Sequence, residues 1–481
     1  AKAHLLAAGW FALQEAERGG GMRAARVIHH LVRGGDLARA EALLLAESAA
    51  LRGGPRHVGK LLLPLVDASQ RSQVLLELAG LLLDLAQPRA AVRACARAAR
   101  HGKGPELRRR AALVASDALT RLGRPARAEL LLGGLWAAGG QAVSGPEGAE
   151  VLQRLARARL SRGDYAGARE TAARALEETP AAVVAGLTHE TLGVACAYLG
   201  ETERAQAELN QALSLLAEQA RPRDRSRIQS HRAMVAFRAG RVEPALADYA
   251  GALALAEEHD LDDLIATGLL NLGTAEQQAG LWGEALRHYE RGVTFASAAS
   301  RTSTELTLEF NLANLHAEIG AFERAEEALS RLELKSVAAK LSHFPPGIAL
   351  IRAEIRLARG EPDAAEKELL GAERLLQGRA QPRELFEVRL RRIDVELLRD
   401  KPQEAERKLK ALASQPDDAA ADLIRCLELA RARVDAALGR TNALGRLESA
   451  RARAQREGLL ALEATLETEL SQAAQRLGSV D

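Results

Sequence analysis

The sequence predicts an all-α protein, a right-handed superhelical α-solenoid of about eleven helix hairpins. Two observations support this prediction: the composition, and an internal repeat of about 40 residues. Hydrophobic residues make up 47% of the 481 residues but aromatic residues only 3%, so the apolar share is mainly Ala and Leu. Alanine and unbranched side chains lose little freedom in a helix, whereas sheets draw on β-branched and aromatic residues.

An anchor residue, glycine in most copies, marks each repeat, and most copies have an alanine five residues later and an apolar residue four places beyond the alanine. Gly280, Ala285 and Tyr289 form one copy. Five consecutive steps of 40 residues, from 200 to 400, exclude a chance pattern. The anchors stand at positions 35, 86, 123, 163, 200, 240, 280, 320, 360, 400 and 439.

Each repeat predicts a first helix, A, and a second helix, B, separated by the anchor. We expect the anchor glycine to end helix A in the left-handed conformation, which other residues resist. A second small or apolar residue precedes each anchor by seven positions, where helix A would cross helix B closely. These residues are Ser116, Ala156, Gly193, Ala233, Gly273, Ala313 and Ala353.

The repeat resembles the tetratricopeptide repeat (TPR). The segments "LLNLGTAEQQAGLWGEALRHYERG" (269–292) and "ETLGVACAYLGETERAQAELNQAL" (190–213) carry its Leu-Gly, Gly and Ala positions in order. The usual period is about 34 residues, and the longer period and Ala/Arg/Leu-rich texture resemble the C-terminal arrays of bacterial STAND regulators and Ser/Thr kinase–ATPase fusion proteins. The resemblance implies a concave groove that binds a protein or peptide, and a role in cytoplasmic signal transduction.

The repeats predict three regions along the chain. Residues 1–22 are expected to form an N-terminal capping helix, 23–440 the repeat array and 441–481 the C-terminal capping helices. A step of 51 residues indicates an insertion near 52–66, and glycines indicate a longer loop near 139–148. Because the first residue is alanine rather than methionine, we expect a fragment of a longer protein.

The sequence offers no set of residues that would support catalysis or metal binding. Residues 54–61, "GPRHVGKL", have the spacing of a phosphate-binding loop, but Leu61 replaces the magnesium-binding Ser or Thr and no strand precedes the segment. Cys95, Cys196 and Cys426 lie too far apart in the chain to suggest a zinc-ligand pair. We therefore expect neither an enzyme nor a cofactor.

Composition also limits where the protein works. Three cysteines in 481 residues suit a reducing compartment. There is no signal peptide and no uncharged apolar run of 18 residues, so we expect a cytoplasmic protein without a membrane span. Lys and Arg number 66 against 64 Asp and Glu, and this balance argues against a dedicated nucleic-acid binder.

Although the whole chain is nearly neutral, its N-terminal part is basic. Residues 1–130 have a net charge of +10 and the remainder −8. Arg89, Arg93, Arg97 and Arg100 follow one face of a predicted helix. This basic patch is either a solvated convex face or a docking surface for an acidic protein, an acidic neighbouring domain or nucleic acid.

The inner helices of such arrays line the concave groove. Asn271 and Asn311 occupy the same helix-A position in successive repeats, and in peptide-binding relatives of this type asparagine holds the backbone of an extended ligand. An amide both donates and accepts, like a peptide bond. The alternative is that both asparagines bond across neighbouring helices. The full predicted groove set is Tyr198, His231, Met234, Phe237, Arg238, Asn271, Gln277, Gln278, Phe310, Asn311 and Asn314.

We therefore expect a non-catalytic protein- or peptide-binding sensor or scaffold. The resemblance implies that it is the regulatory part of a larger bacterial signalling protein, with a kinase or ATPase domain upstream in the same chain. The alternative is a small-ligand-sensing domain of a STAND-type transcriptional or signalling regulator.

Overall fold

The polypeptide folds into helices joined by short turns. The computed structural model describes residues 2–478 except 14–19, 53–57, 86, 140–143, 218, 220, 299–300, 340, 342, 378–381, 414–420 and 458–459. These residues contain 26 helices and no strand, so the all-α prediction is confirmed. Within them, no helix combines the length and the apolar character needed to span a membrane.

The helices follow one another with the predicted alternation of A and B. Their bounds are α1 Lys2–Leu13, α2 Gly20–Gly34, α3 Leu37–Ala46, α4 Ser48–Arg52, α5 Val58–Ala68, α6 Ser72–Asp84, α7 Pro88–His101, α8 Pro105–Arg121, α9 Pro125–Gly139, α10 Pro146–Arg162, α11 Tyr165–Glu177, α12 Ala182–Tyr198, α13 Thr202–Leu215, α14 Pro222–Arg238, α15 Val242–Glu258, α16 Asp262–Gln278, α17 Trp282–Ala298, α18 Thr302–Glu318, α19 Phe322–Ala338, α20 Phe344–Ala358, α21 Pro362–Leu376, α22 Pro382–Leu398, α23 Pro402–Ala413, α24 Ala421–Ala437, α25 Asn442–Glu457 and α26 Leu460–Gly478.

The chain divides into two compact units, unit 1 (Ala1–Ala220) and unit 2 (Arg221–Asp481). In unit 2 each A helix contacts the next A helix, from α14 through α16, α18, α20 and α22 to α24. Among the described residues, neighbouring B helices make no contacts of comparable extent. Because the A helices are closer together than the B helices, the A layer lies on the inner side of the curve. We call the exposed side of this layer the inner face.

The predicted left-handed turns are present at the anchors. Gly240 has φ +74°, Gly320 φ +78° and Gly360 φ +75°. A Cβ added at Gly320 would meet nothing within 4 Å, so the backbone conformation alone requires glycine there. At the anchor where the sequence has Asp400, the same turn forms with φ +57°. The turn is therefore imposed by the packing of the two helices, even where the residue disfavours it.

The small residues before the anchors lie where helix A crosses helix B, as predicted. A Cβ added at Gly273 would lie 2.8 Å from Cε1 of Tyr289, and one at Gly193 would lie 2.8 Å from Cγ of Leu209. Ala313 is fully buried at the equivalent position. The side chain from helix B therefore decides whether glycine or alanine fits at the crossing.

The long step near the N-terminus contains the additional helices α4 and α5. Helix α5 packs against α2, and its Leu62 and Leu65 are fully buried. Gly59 and Lys60 of the segment that resembles a phosphate-binding loop lie in the first turn of α5, and residues 54–57 lie outside the described residues. Most of the predicted loop near 139–148 also lies outside the described residues or before α10 begins at Pro146.

Two glycine-to-alanine substitutions should have opposite effects on stability. Gly320→Ala places a Cβ in the left-handed region and should lower the free energy of unfolding by about 1–2 kcal/mol. Gly371→Ala, inside α21 with open space around the added Cβ, should raise it by up to about 1 kcal/mol. Urea denaturation followed by circular dichroism measures both changes. Shifts of the same sign would contradict the assignment of the anchor turn.

Candidate functional site

Polar side chains connect neighbouring A helices across the inner face of unit 2. Asn271 on α16 donates from Nδ2 to Oγ of Ser230 on α14, at 3.2 Å. Asn311 on α18 donates from Nδ2 to Oγ1 of Thr274 on α16, also at 3.2 Å. The two asparagines therefore occupy equivalent positions and each links its helix to the preceding A helix. The cross-helix bonding considered as the alternative is present.

A tyrosine from the core reaches the same face. Tyr289 on α17 is fully buried, and its ring passes the crossing at Gly273. Its hydroxyl donates to Oε1 of Gln277 at 2.9 Å and lies 3.2 Å from Oγ1 of Thr274. Burial raises the pKa of this hydroxyl to about 12, so it remains a donor across the physiological pH range. The sequence identified Tyr289 only as a core residue.

The hydrogen bonds continue to the end of α18. Gln277 donates from Nε2 to Oε2 of Glu318 at 2.7 Å, and Trp282 donates from Nε1 to Oε1 of the same carboxylate at 3.2 Å. The bonds thus join α14, α16, α17 and α18. We call these residues the polar network: Ser230, Asn271, Thr274, Gln277, Trp282, Tyr289, Asn311 and Glu318.

Apolar side chains accompany the polar network. Met234 and Phe237 on α14 are half-buried and pack against the apolar cluster that contains Tyr249 and Leu269. Phe310 on α18 is also half-buried, and its ring centroid lies 6.1 Å from that of Phe344 on α20. Each of the three therefore combines a packed side with a partly accessible side.

The other predicted groove residues are distributed between the two units. His231 and Asn314 are half-buried in unit 2, and Arg238 and Gln278 are exposed there. Tyr198 belongs to unit 1, where its ring stacks on that of Tyr165 with centroids 4.4 Å apart. Unit 2 therefore holds the whole predicted groove set except Tyr198.

Charged pairs replace the amides farther along the inner face. Arg391 lies 2.7 Å from Glu354 and 3.5 Å from Asp394. Arg433 lies 3.2 Å from Asp394 and 2.6 Å from Glu469 on α26. The carboxylate of Glu354 raises the pKa of the Arg391 guanidinium above its ordinary value. This series of ion pairs was not predicted from the sequence.

The contacts between consecutive A helices could have been anticipated from the separation of the paired residues in the sequence. Asn311 bonds a residue 37 positions earlier, and so does Arg391, which pairs with Glu354. Arg154 pairs with Asp117 in unit 1 at the same separation, with 3.3 Å between the atoms. A separation of 41 positions also occurs, because Asn271 bonds Ser230 and Gln277 bonds Glu318. Polar residues about one repeat length apart on consecutive A helices therefore meet.

The predicted basic patch is only partly exposed. Arg89, Arg93 and Arg100 on α7 are exposed. Arg97 is half-buried, and its guanidinium donates to the backbone carbonyl of Ser69 at 3.0 Å. The stripe of four arginines thus contributes three side chains to the surface.

The cysteines occupy different environments. Burial raises the pKa of the Cys95 thiol to about 12 and that of the Cys196 thiol to about 11, so both are neutral thiols near pH 7. Cys426 is exposed. Among the described residues, no group of three or more His, Cys, Asp or Glu side chains is arranged to hold a metal ion.

Comparisons with known proteins agree with this architecture. Residues 224–298, which form α14 to α17, match the tetratricopeptide repeat family model. No curated protein matches the chain. The predicted resemblance to TPR arrays is therefore confirmed in the region that carries most of the polar network.

Solved structures with the same fold cover most of the chain. The apo form of RapI is 14% identical with a TM-score of 0.52, covering 71% of this chain and 98% of that chain. The apo form of the quorum sensor NprR from B. thuringiensis is 15% identical with a TM-score of 0.52, covering 73% and 97%. A STAND protein with a tetratricopeptide repeat sensor from Pyrococcus horikoshii is 15% identical with a TM-score of 0.54, covering 74% and 54%. These similarities show the TPR-type helical solenoid fold.

A double substitution can test whether Gly273 and Tyr289 constrain each other where α16 crosses α17. Gly273→Ala should destabilise the protein by about 1–3 kcal/mol, because the added methyl group collides with the Tyr289 ring. Adding Tyr289→Leu should recover at least about 1 kcal/mol relative to the sum of the single changes, since alanine and leucine fill the equivalent positions at Ala313 and Leu329. Urea unfolding of the four proteins measures this coupling. Additive effects would show that the two positions do not constrain each other.

Proposed function

We propose that the inner face of unit 2 binds an extended peptide or protein segment, so that the array acts as a non-catalytic sensor or scaffold. The observation that carries this proposal is the polar network, which presents amides and hydroxyls on three consecutive A helices, beside half-buried apolar side chains. Such a surface matches a polypeptide, whose backbone is polar and whose side chains are partly apolar.

The asparagines have capacity for a ligand beyond their cross-helix bonds. A side-chain amide has two N–H donors and an oxygen with two lone pairs. Asn271 uses one N–H for Ser230, and both asparagines are half-buried rather than sealed from solvent. The remaining N–H and the carbonyl oxygen suit the carbonyl and N–H of an extended backbone. Each asparagine can therefore connect two helices and also bind a ligand.

The cross-helix bonds favour binding by fixing the amides in advance. A side chain that is already held loses less conformational entropy when a ligand arrives. Thr274 accepts a hydrogen bond from Asn311 and donates to the backbone carbonyl of Leu270, and the Tyr289 hydroxyl lies 3.2 Å from its oxygen, so its position is set by the core as well as by the face. Met234 and Phe237 lie one helix away and would receive apolar side chains of the ligand.

The inner face is a surface rather than an enclosed cavity of the kind that small ligands usually occupy. Two cavities of the described residues are lined by residues outside α14–α18. One of about 400 Å³ lies between α9 and α10, lined in part by Leu130 and Leu155. The other, of about 190 Å³, lies between α22 and α23 beside Arg389 and Leu412.

The regulatory part of the proposal also draws on the structural relatives. NprR is a quorum sensor, and the repeat array of the P. horikoshii STAND protein is a sensor. We propose a corresponding role for this chain, as the regulatory module of a larger cytoplasmic bacterial signalling protein in which a kinase or ATPase domain responds to occupancy of the inner face.

Replacing both asparagines tests the binding face. A display library of random 12-residue peptides is panned against the full chain, and the recovered peptides are titrated by fluorescence anisotropy. Asn271→Ala with Asn311→Ala should weaken binding at least about tenfold, as the loss of two amide contacts predicts. Arg287→Ala with Arg331→Ala, two exposed changes on the B helices behind the face, is the matched control.

The melting temperature separates binding from folding. Both double variants should melt within a few degrees of the parent, because each removes interactions from a partly solvated surface. Unchanged peptide affinity in the asparagine variant would show that the two asparagines of the inner face do not bind the peptide. Equal weakening in the two variants would show that the peptides bind elsewhere.

A further inference from the structure

Unit 1 contains a concentration of exposed basic residues on α7 and at the starts of α8 and α9. Residues 88–127 hold eleven Lys and Arg against two Asp and Glu, a net charge of +9. The concentration is local, because residues 131–220 of the same unit hold seven Arg and eleven Asp and Glu. A fold of this kind requires no such excess, since B-helix surfaces elsewhere mix both signs, as Glu327 and Arg331 do.

Both carboxylates of this segment are already paired. Glu106 forms an ion pair with Arg109, which is buried and also pairs with Glu147. Asp117 pairs with Arg154 at 3.3 Å. Neither carboxylate is therefore available to neutralise the exposed cations.

The exposed cations lie on α7, at the starts of α8 and α9, and in the turns between these helices, which pack one against the next along the chain. Arg89 and Arg100 lie eleven residues apart on α7, about 16 Å along its axis. Within the described part of the chain, Arg93 is the one member with an ion pair, to Asp67 at 3.4 Å with both side chains more than half exposed. We call the following residues the basic surface: Arg89, Arg93, Arg100, Lys103, Arg108, Arg110, Arg124 and Arg127.

The chemistry of the basic surface favours an acidic polypeptide. Seven of its eight residues are arginines, whose planar guanidinium groups bind carboxylates through two parallel hydrogen bonds. Between the arginines of α7 the exposed positions are Ala96 and Ala99. A flat surface of methyl groups between guanidinium groups suits a segment that alternates carboxylates with small apolar side chains.

The same surface lacks the features of nucleic-acid recognition. Binding of single strands uses exposed aromatic rings on which bases stack, and Trp136 is the one Phe, Tyr or Trp residue in α7–α9. Trp136 is half-buried, and the guanidinium of Arg174 lies 5.6 Å from its ring. Duplex readout also draws on Asn and Gln side chains directed at base edges, and α7, α8 and α9 contain neither residue.

We propose that the basic surface of unit 1 is a second docking site, which binds an acidic, amphipathic polypeptide segment of a partner protein. This site is separate from the inner face of unit 2 in residues, charge and ligand chemistry. Its affinity comes from several exposed ion pairs, each of which is weak alone. Binding through the basic surface is therefore strongly dependent on salt.

The test uses the full chain and a labelled 16-residue peptide of repeating Glu-Glu-Leu-Ala, with a Gln-Gln-Leu-Ala peptide as the uncharged match. Fluorescence anisotropy should show binding of the acidic peptide alone, weakening at least about tenfold between 50 and 300 mM NaCl. Arg89→Glu, Arg93→Glu and Arg100→Glu together should abolish it. The matched control is Arg287→Glu, Arg331→Glu and Arg407→Glu, which reverses three exposed arginines of unit 2 and should preserve binding.

Three results would overturn the proposal. The first is equal binding of the two peptides, which would show that carboxylates are not recognised. The second is equal loss in both triple variants, which would show an effect of net charge rather than of the basic surface. The third is a 16-base-pair DNA duplex that displaces the acidic peptide at lower concentration than the unlabelled peptide itself, since this would identify nucleic acid as the preferred partner. The inner-face peptides should bind the Arg89/Arg93/Arg100 variant normally, so this site and the proposed function fail independently.

Discussion

The close approach of successive A helices is the constraint on which the rest of unit 2 depends. Helices approach closely only where small residues occupy their crossings, and Ala233, Gly273 and Ala313 meet this requirement. The approach removes water from polar side chains on the inner side, which must then find partners on the neighbouring helix. The bonds from Asn271 to Ser230 and from Asn311 to Thr274 are a direct result.

Contacts between consecutive A helices of unit 2 are of two chemical kinds. Between α14 and α18 the contacts are made by amides and hydroxyls together with one carboxylate, Glu318, and between α20 and α26 they are ion pairs such as Arg391 with Glu354. A neutral amide can keep its cross-helix bond and offer its remaining donor and acceptor to a ligand, because no charge is left unpaired. Breaking a partly buried ion pair leaves an uncompensated charge. The first half of the inner face is therefore suited to binding, and the second half to holding the terminal helices in place.

The sequence predicted the elements that depend on local backbone conformation or on residue size. The anchor turns were predicted because only glycine adopts positive φ freely, and the crossings because only small side chains fit there. Side-chain partners were not predicted, because they depend on the offset between consecutive helices. The offset of 37 residues brings Asn311 to Thr274, and the empty volume at Gly273 lets Tyr289 reach the inner face. Arg97 belongs to the arginine stripe by sequence, but the carbonyl of Ser69 draws it inward.

The equal steps of 40 residues between 200 and 400 have a consequence for how such a chain changes its length. Unequal recombination between two copies adds or removes one whole step, and it leaves the anchor turns and the helix crossings in register. The steps of 51 and 37 residues in unit 1 do not allow this. Unit 2 can therefore lengthen or shorten by gene rearrangement, whereas the first half of unit 1 is fixed in length.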